Sequence, residues 1–222
     1  DIAFSYSGGS EKRGQELIQE LGWKEPTAPL IIMTPNMRLY ERCEGRERNN
    51  VMLRAMANTA KELVDNTRAR VLFLGNEYLP TNSPKGDDRF LCSLLESMCA
   101  LPGQALALTS WLNTQDVRSI LMNAEMIISS RFHSLLLGST AIKPVLAIGW
   151  SHKYQFLLND IGLSKNLVSG EKGIFSSLAQ QSFALWENRS SCKKILENTI
   201  PQLRQNARDF LDRIVREACE ST

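Results

Sequence analysis

The chain has 222 residues, 43% of them apolar and 23% charged, and a formal net charge of +2. That length suits one large core, the charge is too small to argue for nucleic acid or an anionic membrane surface, and no apolar run approaches the ~20 residues that span a bilayer. Five cysteines, at 43, 92, 99, 192 and 219, show neither a CxxC pair nor a zinc spacing, so they are expected to be reduced thiols of a cytoplasmic protein.

The chain begins at Asp1 without a signal-peptide pattern, and a Ser- and Gly-rich stretch covers residues 5–10. Residues 1–29 are expected to form a linker and a short helix leaving an N-terminal domain that the sequence lacks, and residues 30–222 a single domain. A helical pattern over 11–21 stops at Gly22, and Pro26 and Pro29 punctuate a loop. Residues 30–33 predict the first strand, which ends at Thr34-Pro35-Asn36 with Met37 and Arg38 in the following loop. Residues 46–66 carry a helical apolar stripe, 70–74 a second strand, and 76–86 a loop. Asp87 and Asp88 start a helix running to Met98, with acids where the helix dipole favours them. A third strand is expected over 104–108, and Thr114 is expected to cap a helix over 115–123.

A strand over 126–128 then meets Ser129, Ser130, Arg131 and His133 at the mouth of an apolar helix over 132–141. Pro144 leads a fifth strand over 145–148, which ends in Trp150-Ser151-His152-Lys153. A helix over 154–160, a weak strand over 165–169, and helices over 174–186 and 192–219 complete the chain, the last with a kink at Pro201. Strands alternating with helices predict a Rossmann-like, doubly wound α/β domain, with a mainly parallel six-stranded sheet, helices on both faces and a long C-terminal helix.

In the commonest doubly wound order, 3-2-1-4-5-6, ligands bind outside the carboxyl ends of the strands where the order reverses, between strands one and four. Asn36 and Arg38 would then face Ser129, Ser130, Arg131 and His133 across one crevice, with Trp150 and Lys153 close by. Two guanidinium groups and a helix N-terminus suit a phosphate or carboxylate, and an imidazole beside them can move a proton. No glycine-rich dinucleotide fingerprint or P-loop follows any strand, and no metal site is expected. Each residue also has a plainer role. Arg38 can be a surface ion-pair partner, and a lone histidine is more often structural. Asp87 and Asp88 read better as helix-entrance acids than as a metal pair. His152 and Lys153 can solvate a helix start, and Trp111, Trp150 and Trp186 can simply pack.

The run Ser-Ser-Arg131-Phe132-His133-Ser-Leu-Leu-Leu, followed by Lys-Pro-Val-Leu-Ala-Ile-Gly-Trp-Ser-His-Lys, resembles the polysaccharide pyruvyl transferases. That family carries an Arg-apolar-His-(Ala/Ser)-Leu motif, then a Pro-led strand and a Tyr-Asp-x-Lys segment. The exit Asp-Ile-Ala-Phe at the start of the chain fits the same layout. The resemblance implies the C-terminal, donor-binding domain of a two-domain fold like the GT-B glycosyltransferases. It implies transfer of pyruvate from phosphoenolpyruvate to two hydroxyls of a sugar as a cyclic ketal, with no further cofactor. His133 would be the general acid and Arg131 an anion clamp; Arg38 would be a second clamp. Asn36, Ser129, Ser130, Trp150 and Lys153 would complete the substrate site. The partners implied are phosphoenolpyruvate, a glycan or lipid-linked sugar acceptor and the missing N-terminal domain. The place implied is the cytoplasm, at the inner face of the membrane through the substrate. Two departures stand out: Trp150-Ser151-His152-Lys153 lacks the family's acid, and Asn36 stands where the family ends its first strand with arginine. Two other readings remain. A GT-B glycosyltransferase or sugar-nucleotide epimerase domain expects a ribose-gripping acid, for which the sequence offers no candidate after the fifth strand. A diverged non-catalytic binding module would fit the loss of the acid.

Overall fold

The computed structural model describes residues 1–79, 86–170 and 175–220. Its strands are β1 (Leu30–Thr34), β2 (Arg70–Leu74), β3 (Ala105–Leu108), β4 (Met126–Ser129), β5 (Val145–Gly149) and β6 (Leu167–Ser169). They form one sheet in the order β3-β2-β1-β4-β5-β6, every pair parallel. Parallel strands covered on both faces need apolar side chains on both. Accordingly β1 and β5 are buried at every position. The doubly wound fold and strand order expected from the sequence are the ones found.

The helices are α1 (Glu11–Gln19), α2 (Met37–Arg42), α3 (Val51–Thr67), α4 (Asp88–Cys99), α5 (Thr114–Leu121), α6 (Phe132–Thr140), α7 (His152–Asp160) and α8 (Leu178–Glu220). Right-handed crossovers send α3 and α4 to one face and α5, α6 and α7 to the other. The packing agrees: α3 lies against α4, α5 against α6, and α6 against α7, while α8 touches both α3 and α6.

Four local readings change. Met37 and Arg38 are not in a loop. Asn36 caps α2 by accepting the N–H groups of Arg38 (2.8 Å) and Leu39 (3.4 Å), which turns the chain into a helix straight after β1. The helix predicted from residue 46 starts at Val51, because Asn50 caps it and a 3₁₀ turn, Glu47–Asn49, precedes it. Asn113, not Thr114, caps α5. The two C-terminal helices are one, α8, with Pro201 inside it. The expected starting point of the first of them, Ile174, lies outside the described residues, as do residues 80–85 of the predicted 76–86 loop.

The N-terminal residues pack onto this domain. A 3₁₀ turn, Ile2–Ser5, buries Phe4 and lies against α6 and α8. Helix α1 lies on α5 with Gly14 at the contact, where a Cβ would stand 2.0 Å from the Ser119 carbonyl oxygen. Among the described residues no helix is long and apolar enough to cross a membrane.

Candidate functional site

The reversal of strand order falls between β1 and β4, where Thr34 is in register with Ser129. A buried polar latch closes the two strand ends. The Thr34 and Ser129 hydroxyls hydrogen-bond each other, and the Ser130 N–H donates to the Thr34 carbonyl at 3.0 Å. Asn36 Nδ2 and the Tyr154 hydroxyl both donate to the Ser130 carbonyl, at 2.9 and 2.7 Å. Burial pushes the Tyr154 hydroxyl up to about 12, so it stays a neutral donor. Ser129 also accepts the Arg131 N–H at 2.9 Å, and Ser130 Oγ donates to the Thr34 carbonyl at 3.1 Å. Ser129, Ser130 and Asn36 are thus buried in the floor with their polar atoms engaged.

Above this floor lies a crevice of about 320 Å³, walled by Arg38, Asn76, Glu77, Arg131, His133, Trp150 and Lys153 among others. The switch-point geometry therefore brings Arg38, Arg131 and His133 to one place, together with the expected Trp150 and Lys153. Arg131 stands at the N-cap of α6 and is only 9% exposed. Its Nη1 donates to Glu77 Oε2 at 2.6 Å and its Nη2 to Asp88 Oδ1 at 2.5 Å, while Nε has no partner. Burial opposes the guanidinium charge, but the Asp88 and Glu77 carboxylates outweigh it and raise the Arg131 pKa above its ordinary value.

Asp88 is fully buried and gathers three loops. Besides Arg131 it accepts the N–H groups of Met37 (3.0 Å), Asn76 (3.2 Å) and Glu77 (3.0 Å). Burial holds its carboxyl above the ordinary value against the pull of Arg131 and of the Met37 and Glu77 N–H groups. Asp87 plays the expected helix-entrance part, capping α4 through the Arg89 N–H and pairing with the Arg89 guanidinium. Among the described residues no group of side chains could hold a metal ion. Sequence reasoning missed Glu77 entirely and took Asp88 for a dipole acid. The doublet Asp87-Asp88 was a signal in plain view, but the two farthest partners of Asp88, Arg131 and Met37, lie 43 and 51 residues away.

The other cations are less committed. Arg38 is exposed, with Nη2 3.9 Å from Glu77 Oε1. Lys153 Nζ lies 5.0 Å from the Phe132 ring centroid, 5.7 Å from that of Trp150 and 5.6 Å from that of Tyr154. These are cation–π distances, and among the described residues Lys153 has no carboxylate at ion-pair range. Arg42, which the sequence did not single out, lies 4.4 Å over the Trp150 ring. His133 occupies the first turn of α6, edge-on to Phe132 with ring centroids 5.5 Å apart. Desolvation by its surroundings, and then the Lys153 charge, lower its pKa below the ordinary imidazole value. His133 also lines a second cavity of about 750 Å³, together with Asn76, Thr114, Leu137 and the N-terminal segment around Tyr6.

A sequence profile described as polysaccharide pyruvyl transferase matches residues 50–152. The match covers a little under half of the chain and marks that span as similar to the family. The matched segment runs from the cap of α3 to the first residue of α7, so it includes Glu77, Asp88, Arg131, His133 and Trp150, while Asn36, Arg38 and Lys153 lie outside it. No curated protein matches the sequence. Among solved structures, a protein described as a UDP-N-acetylglucosamine 2-epimerase from Listeria monocytogenes is similar at TM-score 0.60 and 12% identity, over 93% of this chain and 48% of that one. The UDP-GlcNAc 2-epimerase of Neisseria meningitidis, solved with UDP-GlcNAc, is similar at 0.58 and 8%, over 91% and 48%. The chain thus spans about half the length of these two proteins. The C-terminal domain of a group 1 glycosyl transferase from Francisella tularensis is similar at 0.53 and 12%, over 93% of this chain and 96% of that one. At these identities the likeness is one of fold: the chain has the architecture of a GT-B half.

Proposed function

We propose that the chain is the donor-binding half of a transferase that moves pyruvate from phosphoenolpyruvate to a sugar of a polysaccharide or its precursor, as a cyclic ketal. The observation that carries this is the overlap of the family match with the crevice wall. The matched segment supplies Arg131 and His133, on opposite sides of Phe132, at the point where a doubly wound sheet binds ligands.

The chemistry assigns work to the side chains. Lys153, Arg38 and Arg131 attract the donor's phosphate and carboxylate, with the positive end of α6 beside them. His133 gives a proton to the methylene carbon, which makes C2 electrophilic. One sugar hydroxyl adds to C2, the C2–O bond to phosphate breaks, and the second hydroxyl closes the ketal. Of the two hydroxyl protons one restores His133 and the other leaves on phosphate, so the step needs no oxidant or reductant. A lowered imidazole pKa would starve a general acid at neutral pH, but two donor anions beside His133 offset the Lys153 charge and restore its proton. The second cavity that His133 lines gives an acceptor sugar access to the same imidazole. A cytoplasmic site of action, at the inner face of the membrane through the acceptor, fits this reading.

Calorimetry of the chain against phosphoenolpyruvate and UDP tests it. Phosphoenolpyruvate should bind, and Lys153→Met and Arg131→Ala should each weaken that binding about tenfold or more, while His133→Ala should leave affinity within a few-fold. Tighter binding of UDP than of phosphoenolpyruvate would move the assignment to a nucleotide-sugar enzyme; binding of neither would favour a non-catalytic module.

A further inference from the structure

We propose that Glu77 keeps the anion position of the crevice, its carboxylate lying between Arg131 and Arg38 until an incoming phosphate displaces it, so that Glu77 sets which anions bind. The identity of the physiological anion as phosphoenolpyruvate rests on the function proposed above; the exchange does not.

The two carboxylates on Arg131 are unequal. Asp88 is fully buried and held by three backbone N–H groups as well as by Arg131 Nη2. The Glu77 side chain is 38% exposed, and among the described residues its carboxylate is held by guanidinium groups alone, Arg131 Nη1 at 2.6 Å and Arg38 Nη2 at 3.9 Å. Its backbone is fixed independently, because the Glu77 N–H donates to Asp88 Oδ2 at 3.0 Å and the Glu77 carbonyl accepts the Asp88 N–H at 3.0 Å. The side chain can therefore swing out without unravelling the loop. Arg131 then keeps Asp88, stays charged and stays in place. The two guanidinium groups that converge on one carboxylate are those best placed to take a ligand anion. A monocarboxylate gains little by replacing another carboxylate. A phosphate, with up to two charges and three outer oxygens, gains net attraction. Glu77 thus raises by one common factor the affinity that any anion needs, a threshold that phosphate groups clear and weak singly charged anions do not.

Calorimetry of the chain with inorganic phosphate, pyruvate and phosphoenolpyruvate tests the exchange, with a thermal melt confirming each variant is folded. Glu77→Gln should tighten phosphate and pyruvate about tenfold each, and Glu77→Asp, one methylene shorter, should tighten them less. Arg38→Gln in the Glu77→Gln background should cancel part of the gain, and Asp88→Asn should weaken phosphate. Unchanged or weaker phosphate binding in Glu77→Gln overturns the proposal, as does failure of both wild type and variant to bind phosphate. If Glu77→Gln tightens phosphate but phosphoenolpyruvate binds no better than phosphate, the exchange stands and the donor assignment fails.

Discussion

At His133 burial and, to a lesser degree, the charge of one neighbour, Lys153, lower the imidazole pKa. Lys153→Met should therefore raise that pKa part of the way back, since the larger cause remains; an NMR titration of the His133 ring proton, resolved from that of His152, measures it. No rise would mean Lys153 is too well screened to act on the imidazole. The same shift ties stability to pH. The unfolded chain takes up the proton first, near pH 6.5, so the contribution is whole above that value and is lost as pH falls through the lower folded pKa. His133→Asn should flatten the fall in urea midpoint between about pH 7.5 and pH 5. His133 and Arg131 were legible as a spaced pair after an apolar run. The partners that fix Arg131 were not, because Glu77 and Asp88 are 54 and 43 residues away and meet it only when three loops converge. Spacing on one element is written in the sequence; convergence of loops is a property of the sheet order.

Among the elements, α1 and α8 carry the sharpest tests. Gly14 lets α1 approach α5 closely, and a Cβ there would meet the Ser119 carbonyl oxygen at 2.0 Å and Asn123 Nδ2 at 2.3 Å. Backbone cannot yield as a flexible side chain does, so Gly14→Ala should cost about 1–3 kcal/mol in a urea titration, despite alanine's better helix propensity. A stabilised variant would show that α1 is not docked. In α8 the sequence around residues 187–191, Glu-Asn-Arg-Ser-Ser, argues for a break, and Pro201 for a kink. The helix runs through both because packing overrides propensity: Leu185, Cys192, Leu196 and Ile200 are buried along one side, while Ser190, Ser191 and Pro201 face solvent. Proline costs a helix interior ~3 kcal/mol, of which its stiffening of the unfolded chain returns ~1. Pro201→Ala should then stabilise the chain by about 1–2 kcal/mol, read from the same titration.

For the whole molecule, alternating strands and helices were legible as a doubly wound fold, while the order of strands was taken as the commonest one for that fold, which the sheet turns out to have. Once the order is given, the crevice follows at β1 and β4, and that is why residues 36–38 and 129–133 could be placed together before any coordinates. What the topology does not give is how firmly each part is held. Helix α8 shows this along its own length. Its first half is clamped, with Leu178, Ser182 and Leu196 fully buried. Arg204 Nη2 still reaches the Thr140 carbonyl at 3.0 Å, and Leu203 and Ala207 still touch the core. Beyond them Phe210, Ile214 and Val215 are 44%, 44% and 60% exposed, so the helical hydrogen bonds of that end have little tertiary support. Local opening should therefore be far easier there than in the clamped half. Amide hydrogen exchange on the chain should show residues 182–200 exchanging with the sheet core and residues 208–219 exchanging ~100-fold faster or more. Uniform protection along α8 would mean that Phe210, Ile214 and Val215 are covered in solution, and dilution would then separate self-association, which it reverses, from contacts within one chain.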